Sequence, residues 1–272
     1  MLTFGAKTAR TLSTLVLTIA PALAQSIAEP AGTALGELIT DRPDFTESSQ
    51  VVGMGVFQFE YGMTLDREAG ALHFSGPELL VRTGAGKRFE LRLSGDGLLV
   101  ERALRTRRAR GLSDVDFGAK IRLREEGRYL PRFSLIPALT LPTGSRHFSS
   151  LGYDPSIKAA YSKDLPAGFS IAGNLNAAAL STPSGRLIQE SYSWSAGHSL
   201  PCGFGGYWEV FGFTPWDEAG SNAWIANSGV THALGANAQV DVRAGRRITA
   251  AGPDWFFGFG LAIRQPSHVF GW

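Results

Sequence analysis

Charged side chains recur at every second position of several apolar segments, and this spacing is the first sign of chemistry in the sequence. In "SDVDFGAKIRLR" (113–124) the acids and bases share one parity, whereas Val115, Phe117 and Ile121 share the other. Successive side chains of a β-strand point to opposite faces, so such a strand has one charged and one apolar face. A charged face can join strands through ion pairs, or it can line a polar constriction that selects solutes. The charged residues predicted to line one inner face are Glu60, Glu90, Arg92, Asp114, Asp116, Lys120, Arg122, Arg124, Asp241 and Arg243.

The strands that must position these residues are numerous and amphipathic. Each segment is close to the roughly 9–11 residues of a tilted membrane strand. The segments are 56–65, 71–82, 88–94, 113–124, 132–141, 155–163, 169–178, 190–200, 206–214, 223–234, 237–243 and 254–264. A soluble sheet packs its apolar face on a core, but no helix or second sheet is evident to cover so many strands. Strands that close on themselves leave no free edge. We therefore predict an all-β, antiparallel, up-and-down transmembrane barrel of about 12 strands, with its apolar face toward lipid.

The connections between these segments alternate in length. Short connections are expected at 84–87, 125–130, 164–167, 201–205 and 234–236, and longer ones at 95–112, 143–154, 181–189, 215–222 and 245–253. Such alternation is typical of a meander whose two rims face different compartments. The first connection, 66–70, is short and departs from the pattern. An even number of strands puts both termini on the short-turn side, which we predict to be the periplasm.

The two ends of the chain are distinct from the barrel. Residues 1–24 have the features of a secretory signal peptide: Lys7 and Arg10, then an apolar stretch, then the cleavage pattern Ala22-Leu23-Ala24. We assign 25–53 to a periplasmic N-terminal segment, 54–264 to the barrel and 265–272 to a C-terminal tail. Cys202 is the single cysteine, so no intramolecular disulfide can form. The net charge of +2 does not indicate a nucleic-acid partner.

The N-terminal segment carries charges that a simple linker does not need. "TDRPDFTES" (40–48) precedes the first strand, and Pro43 disfavours its addition to a sheet ladder. We hypothesise that residues 38–50 fold back and plug the periplasmic end of the lumen, where basic residues would pair with the segment's carboxylates. A disordered lead-in is the alternative. The residues of the hypothetical plug are Asp41, Arg42, Asp44 and Glu47.

A basic run, "RALRTRRAR" (102–110), falls in what is expected to be the longest external loop. Bidentate arginines suit the phosphates of lipopolysaccharide, so this run is a candidate contact with outer-membrane lipid. A solvated loop is the alternative reading.

Several segments resemble a known family. They are "TDRPDFTES" (40–48), "GVFQFEYG" (55–62), "GLSDVDFGAKIRL" (111–123), "LTLPTG" (139–144) and "DWFFGFGLAIR" (254–264). They are similar to the family named for the MetA pathway of phenol degradation, and the resemblance runs from about residue 38 to residue 264. The resemblance implies a barrel in the outer membrane that transports aromatic or other apolar small molecules.

The function expected from these observations is a passive outer-membrane channel or transporter for small molecules, including hydrophobic or aromatic ones. No cofactor or metal is implied, because the histidines are scattered and no catalytic motif is present. Two alternatives stay open. One is a lipid-modifying enzyme of the outer membrane, in which His198 beside Ser195 or Ser199 could serve, although serine is abundant on this strand and nothing singles one out. The other is a soluble secreted β-barrel or sandwich that binds a ligand.

Overall fold

The computed structural model of the chain describes residues 36–103 and 108–266. The predicted signal peptide and most of the predicted C-terminal tail lie outside these residues. The described chain is built almost entirely of strands. They are β1 (Val56–Glu68), β2 (Ala71–Gly84), β3 (Phe89–Gly95), β4 (Leu98–Arg102), β5 (Arg108–Leu112), β6 (Val115–Arg124), β7 (Arg132–Leu141), β8 (Asp154–Asp164), β9 (Phe169–Thr182), β10 (Gly185–Ser199), β11 (Phe204–Thr214), β12 (Ala223–Ala233), β13 (Ala238–Arg247) and β14 (Trp255–Pro266).

These strands form a closed antiparallel barrel of twelve wall strands. β3 and β4 pair with successive stretches of β2, so together they act as one wall strand. β6 pairs with β3 and β5 pairs with β4, so β5 and β6 together act as the next wall strand. β1 pairs with β2 on one side and with β14 on the other, from Val56↔Pro266 to Arg67↔Trp255. The predicted all-β barrel of about 12 strands is therefore confirmed.

The barrel has two different rims. The start of β1 and the end of β14 share one of them, which we call the terminal-side rim, with the turns at 85–88, 125–131, 165–168, 200–203 and 234–237. The opposite rim carries the longer connections 142–153, 215–222 and 248–254.

Two predicted long loops are wrong. Most of 95–112 is strand, in β4 and β5, and 181–189 is a hairpin whose turn is only Pro183 and Ser184. The cross-strand pairs from Leu98↔Leu112 to Arg102↔Arg108, and those that begin at Gly185↔Thr182, carry the neighbouring strands into both stretches. The basic run 102–110 is consequently not one long loop: Arg102, Arg108 and Arg110 lie in strands, and 104–107 falls outside the described residues.

Two turns of the terminal-side rim share one sequence pattern. In "LPAGF" (165–169) and "LPCGF" (200–204) the leucine N–H donates to the phenylalanine carbonyl at 2.8 Å. Ala167 and Cys202 hold the same left-handed conformation at φ 61°, and a glycine follows each. These repeated tight turns set the register of the neighbouring hairpins.

The outer face of the barrel is apolar and the inner face is polar. Phe117, Trp208 and Phe257 point outward and are 53%, 68% and 59% exposed, whereas Gln58 and Lys120 point inward and are almost fully buried. This is the reverse of a soluble barrel, and it suits a wall surrounded by lipid. No helix among the described residues is long and apolar enough to span a membrane.

Candidate functional site

Residues 39–52, which we call the inner segment, lie inside the barrel. Their backbone and side chains contact inward-facing groups on strands all around the wall, from Glu60 on β1 to Glu209 on β11 and Arg243 on β13. A segment that touches opposite walls of a closed barrel must cross its lumen. The inner segment is thus the centre of the candidate site.

A buried charge cluster binds the start of the inner segment. The carboxylate of Asp41 lies 2.5 Å from Arg92 and 2.8 Å from Lys120, and the Glu60 carboxylate accepts the backbone N–H of Asp41 at 2.9 Å. Burial alone would raise the pKa of Asp41, but the Arg82 guanidinium and the Lys120 ammonium hold that pKa well below its usual range. Asp41 is therefore an anion locked to the wall.

Arg82 and Lys120 also hold the segment through its carbonyl groups. The Arg82 guanidinium donates to the carbonyls of Ile39 and Gln50 at 3.0 Å each, and it pairs with Glu90 at 2.8 Å. The Lys120 ammonium donates to the Ser48 carbonyl at 2.7 Å. These bonds satisfy backbone groups that have no sheet partner, as burial requires.

Arg42 and Glu47 extend the contacts to further strands. Arg42 pairs with Glu78 at 2.8 Å and lies 3.7 Å from Asp241. Its guanidinium occupies space beside Gly62 and Gly260, where a Cβ on either glycine would overlap it. Glu47 pairs with Arg92 at 2.7 Å and with Lys158.

The charges of this network balance. Its ion pairs join six cations to six carboxylates, so the network adds no net charge to the lumen when all of these groups are ionised. Its members are Arg42, Arg82, Arg92, Lys120, Lys158 and Arg243 with Asp41, Glu47, Glu60, Glu78, Glu90 and Asp241.

The middle of the inner segment is held by the opposite wall. Glu209 on β11 accepts the backbone N–H of Phe45 at 2.9 Å and that of Thr46 at 2.6 Å. The Phe45 ring stacks on Phe211 with centroids 4.5 Å apart and meets Phe213 edge-on at 5.2 Å. An acidic anchor and an aromatic contact thus lie side by side.

A cavity of about 250 Å³ remains between the inner segment and the wall formed by β9 to β13. It extends from the terminal-side rim to Asp44. Small inward residues, including Ser170, Gly197 and Gly205, leave this space open. The inner segment therefore leaves part of the lumen unfilled beside these small residues, next to the terminal-side rim.

The structure places the predicted inner-face residues in three groups. Glu60, Glu90, Arg92, Lys120, Asp241 and Arg243 meet the inner segment or its direct partners. Arg122 and Arg124 instead bond to backbone carbonyls at the terminal-side rim, those of Lys87 and Pro131.

Asp114 and Asp116 form the third group, at the opposite rim. The Asp114 carboxylate accepts the backbone N–H groups of Gly144 and Ser150 at 2.7 and 2.6 Å. The Asp116 carboxylate accepts the Thr140 hydroxyl. These two acids order a connection and a strand end.

Arg82, Glu78, Lys158 and Glu209 were missed by the sequence reading. A bulge in the β1–β2 pairing between Gly62 and Thr64 shifts the parity of β2, so simple alternation across 71–82 misleads. Glu209 shares the inner face of β11 with Tyr207 and Phe211, so polar and apolar residues do not alternate along this strand. A lone acid within an aromatic strand was the available signal.

The pair considered for lipid chemistry does not converge. Ser195 points inward and is buried beside Asp44. The His198 ring has the opposite parity on β10 and stacks on the outward Phe169 with centroids 4.1 Å apart. Ser199 is an exposed strand-end residue. The geometry gives no support to a catalytic pair at this strand.

Comparison with known families agrees with this architecture. The family described as "Putative MetA-pathway of phenol degradation" matches residues 40–265, which include all but the first residue of the inner segment and every strand up to the penultimate residue of β14. The chain belongs to this family. In this family member the matched region thus begins with the residues that cross the lumen.

Two solved structures share the fold of this phenol-degradation family member. An outer membrane channel from Pseudomonas putida F1 has a TM-score of 0.58 and 12% identity, over 80% of this chain and 98% of that chain. The NanC porin has a TM-score of 0.51 and 10% identity, over 76% of this chain and 98% of that chain. The fold is therefore that of outer-membrane β-barrels. A comparison with curated proteins finds no match.

Proposed function

We propose that the protein is a passive outer-membrane channel for small solutes, and that the inner segment is a plug that narrows its lumen. In this proposal the terminal-side rim faces the periplasm and the rim with the longer connections faces outward. The observation that carries the proposal is a closed barrel with an apolar exterior, whose polar interior is crossed by a bonded segment with a cavity beside it.

Aromatic or apolar solutes are the class that the lumen supports best. The half-buried Phe45 packs against a buried cluster of Phe211, Ile225 and Phe256 inside the barrel. Near the opposite rim, Trp216 meets Phe213 edge-on at 5.2 Å. Rings placed along a passage offer stacking to a solute without fixing its polar groups. The description of the family is consistent with such solutes.

Removal of the plug tests the channel. Deletion of residues 26–46 should raise single-channel conductance in planar bilayers, because it removes the anchors at Asp41, Arg42 and Thr46. Deletion of residues 26–35 leaves these anchors in place and is the matched control. Heat-modifiable gel migration should show both proteins folded. Equal conductance of the two folded deletions would contradict the plug, and no conductance in any of them would contradict the channel.

Lipopolysaccharide is the lipid partner that the outer face supports. Arg102, Arg108 and Arg110 are exposed, and their cross-strand partners place them on the outward parity with Leu72 and Val100. A groove of about 480 Å³ joins Leu65, Leu72, Phe74 and Val100 to Arg102 and Arg108. Apolar groups beneath arginines suit acyl chains beneath phosphates. We propose that lipid A binds here.

A further inference from the structure

We propose that the outer face of β9 to β12 carries a binding groove for one acyl chain of a phospholipid. The groove has a volume of about 570 Å³. Its outward-pointing lining residues are Ile171, Trp194, Ala196, Trp208, Val210 and Ala226. Ser195 and Glu209 also line it, but their side chains face the lumen, so they contribute the strand backbone of its floor. The proposal goes beyond the channel function, and only its choice of leaflet rests on the proposed orientation of the barrel.

The groove exists because small outward residues stand between large ones. Cross-strand pairing places Ala196 of β10 directly between Ile171 of β9 and Trp208 of β11. In the next row of the sheet, Val210 pairs with Ala226 of β12. Ile171 and Trp208 are 45% and 68% exposed, so they stand out from the wall as the sides of the groove. The two alanines leave the space between the larger side chains open.

Aromatic rings close the end of the groove that lies near the middle of the wall. The Tyr161 ring lies over Gly173, where a Cβ would overlap it, and its hydroxyl faces the indole N–H of Trp194. Trp194 stacks in turn on Trp224, with ring centroids 6.0 Å apart. Rings packed in this way are held in place by their neighbours. An occupant of the groove therefore ends against them.

The opposite end of the groove opens toward the terminal-side rim. Gly206 is the outward position of β11 between Trp208 and the rim, and a Cβ there would meet only the Gly229 carbonyl oxygen, at 3.7 Å. The strand from Phe204 at the rim to Val210 is about 20 Å long. A strand tilt of about 40° makes this a depth of about 15 Å, half of a hydrocarbon core of roughly 30 Å. The groove therefore lies in the leaflet next to the terminal-side rim.

The chemistry of the groove selects an apolar chain. Its outward side chains are aliphatic or aromatic, and none of them is charged. A peptide or a charged solute would lose its hydration there without gaining enough hydrogen-bond partners. An acyl chain has no polar groups to satisfy. The groove is also continuous with the apolar outer face, so the bilayer around the barrel supplies this chain directly.

Two ring pairs mark the level of the lipid headgroups at the open end. Phe169 stacks on His198 with centroids 4.1 Å apart, and Phe204 stacks on His232 at 4.2 Å. Rings with a polar edge are typical of the boundary between acyl chains and headgroups. The headgroup would thus lie at the rim that we assign to the periplasm, where the outer membrane contains phospholipid. The groove proposed for lipid A lies toward the other rim.

Native mass spectrometry of the full mature protein, delipidated and released from mild detergent, tests the groove. Palmitoyl-oleoyl phosphatidylethanolamine is the probe, and lipid A is added to a parallel sample. We expect the wild type to retain one more phosphatidylethanolamine molecule per barrel than Ala196→Phe, because the new ring fills the groove. Trp208→Ala removes one side of the groove and should weaken retention as well.

Ala119→Phe adds the same ring at an outward alanine of β6, away from the groove, and should retain lipid like the wild type. Heat-modifiable migration identifies the folded variants, and Trp208→Ala alone decides if Ala196→Phe does not fold. Equal retention by all folded proteins would overturn the proposal. So would groove-dependent retention of lipid A in place of phosphatidylethanolamine, or a wild-type dimer that Ala196→Phe dissociates. The measurement involves no conduction, so a failure of this proposal is distinct from a failure of the channel.

Discussion

Thr46 donates two hydrogen bonds of 2.6 Å to Glu209, one from its backbone N–H and one from its hydroxyl. The hydroxyl also lies 2.7 Å from the Ser193 hydroxyl, which can donate to it. These contacts lie across the lumen from the charge cluster at Asp41. The inner segment is therefore fastened to two opposite walls, and each fastening can be tested separately.

Thr46→Val should loosen the middle of the inner segment while leaving the barrel assembled. The substitution keeps the shape of the side chain and removes a hydrogen bond to a charged group, which is worth about 1.5–3 kcal/mol. We expect more frequent openings in single-channel recordings. Thr231→Val is the control, since its hydroxyl makes no hydrogen bond within the described chain. Identical recordings from both variants would argue against this anchor.

A disulfide should lock the inner segment to β8. The hydroxyls of Ser49 and Ser162 lie 2.6 Å apart, so cysteines at both positions are close enough to bond. In a Cys202→Ser background, the oxidised Ser49→Cys/Ser162→Cys protein should show stable low conductance, and a reductant should restore the fluctuations of the wild type. Full-sized openings in the oxidised, cross-linked protein would show that conduction does not need the segment to leave β8.

Acid should release the end of the inner segment near Glu47. Burial alone would raise the pKa of Glu47, but Arg92 and Lys158 lower it from 4.5 to about 2. A lowered pKa stabilises the docked segment fully above pH 4.5, and this stabilisation is lost as the pH falls toward 2. The part of the conductance that depends on Glu47 should be constant from neutral pH to about pH 5 and should rise below about pH 4.5. The rise should be smaller in Glu47→Gln, and matching profiles would refute the assignment to Glu47.

The outward arginines should bind lipopolysaccharide. Arg102→Gln/Arg108→Gln removes two of the three guanidinium groups above the apolar groove, so less lipopolysaccharide should remain with the purified barrel. Phosphate and fatty-acid analysis of protein extracted in mild detergent measures this loss. Arg246→Gln, an exposed outward arginine on β13 away from the groove, should retain the normal amount. Equal retention by all three proteins would remove lipid A as the partner of this surface.

The cost of a charge on the outer face should depend on depth. Val242 and Arg246 lie on the same face of β13, but Val242 is nearer the middle of the strand and is 52% exposed toward lipid. Val242→Arg should reduce assembly by about 2–4 kcal/mol, the cost of arginine at the bilayer midplane. Arg246→Val should assemble normally. Folding titrations into lipid vesicles measure both, and the reverse order would invert our assignment of faces.

Alternation alone predicts much of the inner wall. The parity of Glu90 and Arg92 on β3 and of Lys120 on β6 places these charges inward, and the structure joins all three to Asp41 or its partners. Strand periodicity is local, so it survives in a single sequence. Parity cannot indicate which inward charge meets the inner segment, because that depends on strands far apart in the chain.

Other parts of the site required tertiary information. The phase of β2 changes at the bulge opposite Met63, so Arg82 could not be assigned to the inner face with Glu90. The wall of small residues from Ser170 to Gly205 gives only a weak strand pattern in the sequence. Its small side chains nevertheless leave the space that forms the cavity. The residues of that wall matter because of the space that they do not fill.

The closure of β1 onto β14 also determines when, during synthesis of the chain, the barrel can be completed. The inner segment is synthesised before every group that binds it, and its partner Arg243 lies 200 residues after Pro43. The first wall strand likewise waits for the last, since Val56 pairs with Pro266. The export and insertion machinery must therefore handle an open set of strands, and an inner segment without its binding partners, until translation of this region is almost complete. The final hairpin then closes the barrel around the inner segment, which was synthesised before any of the strands.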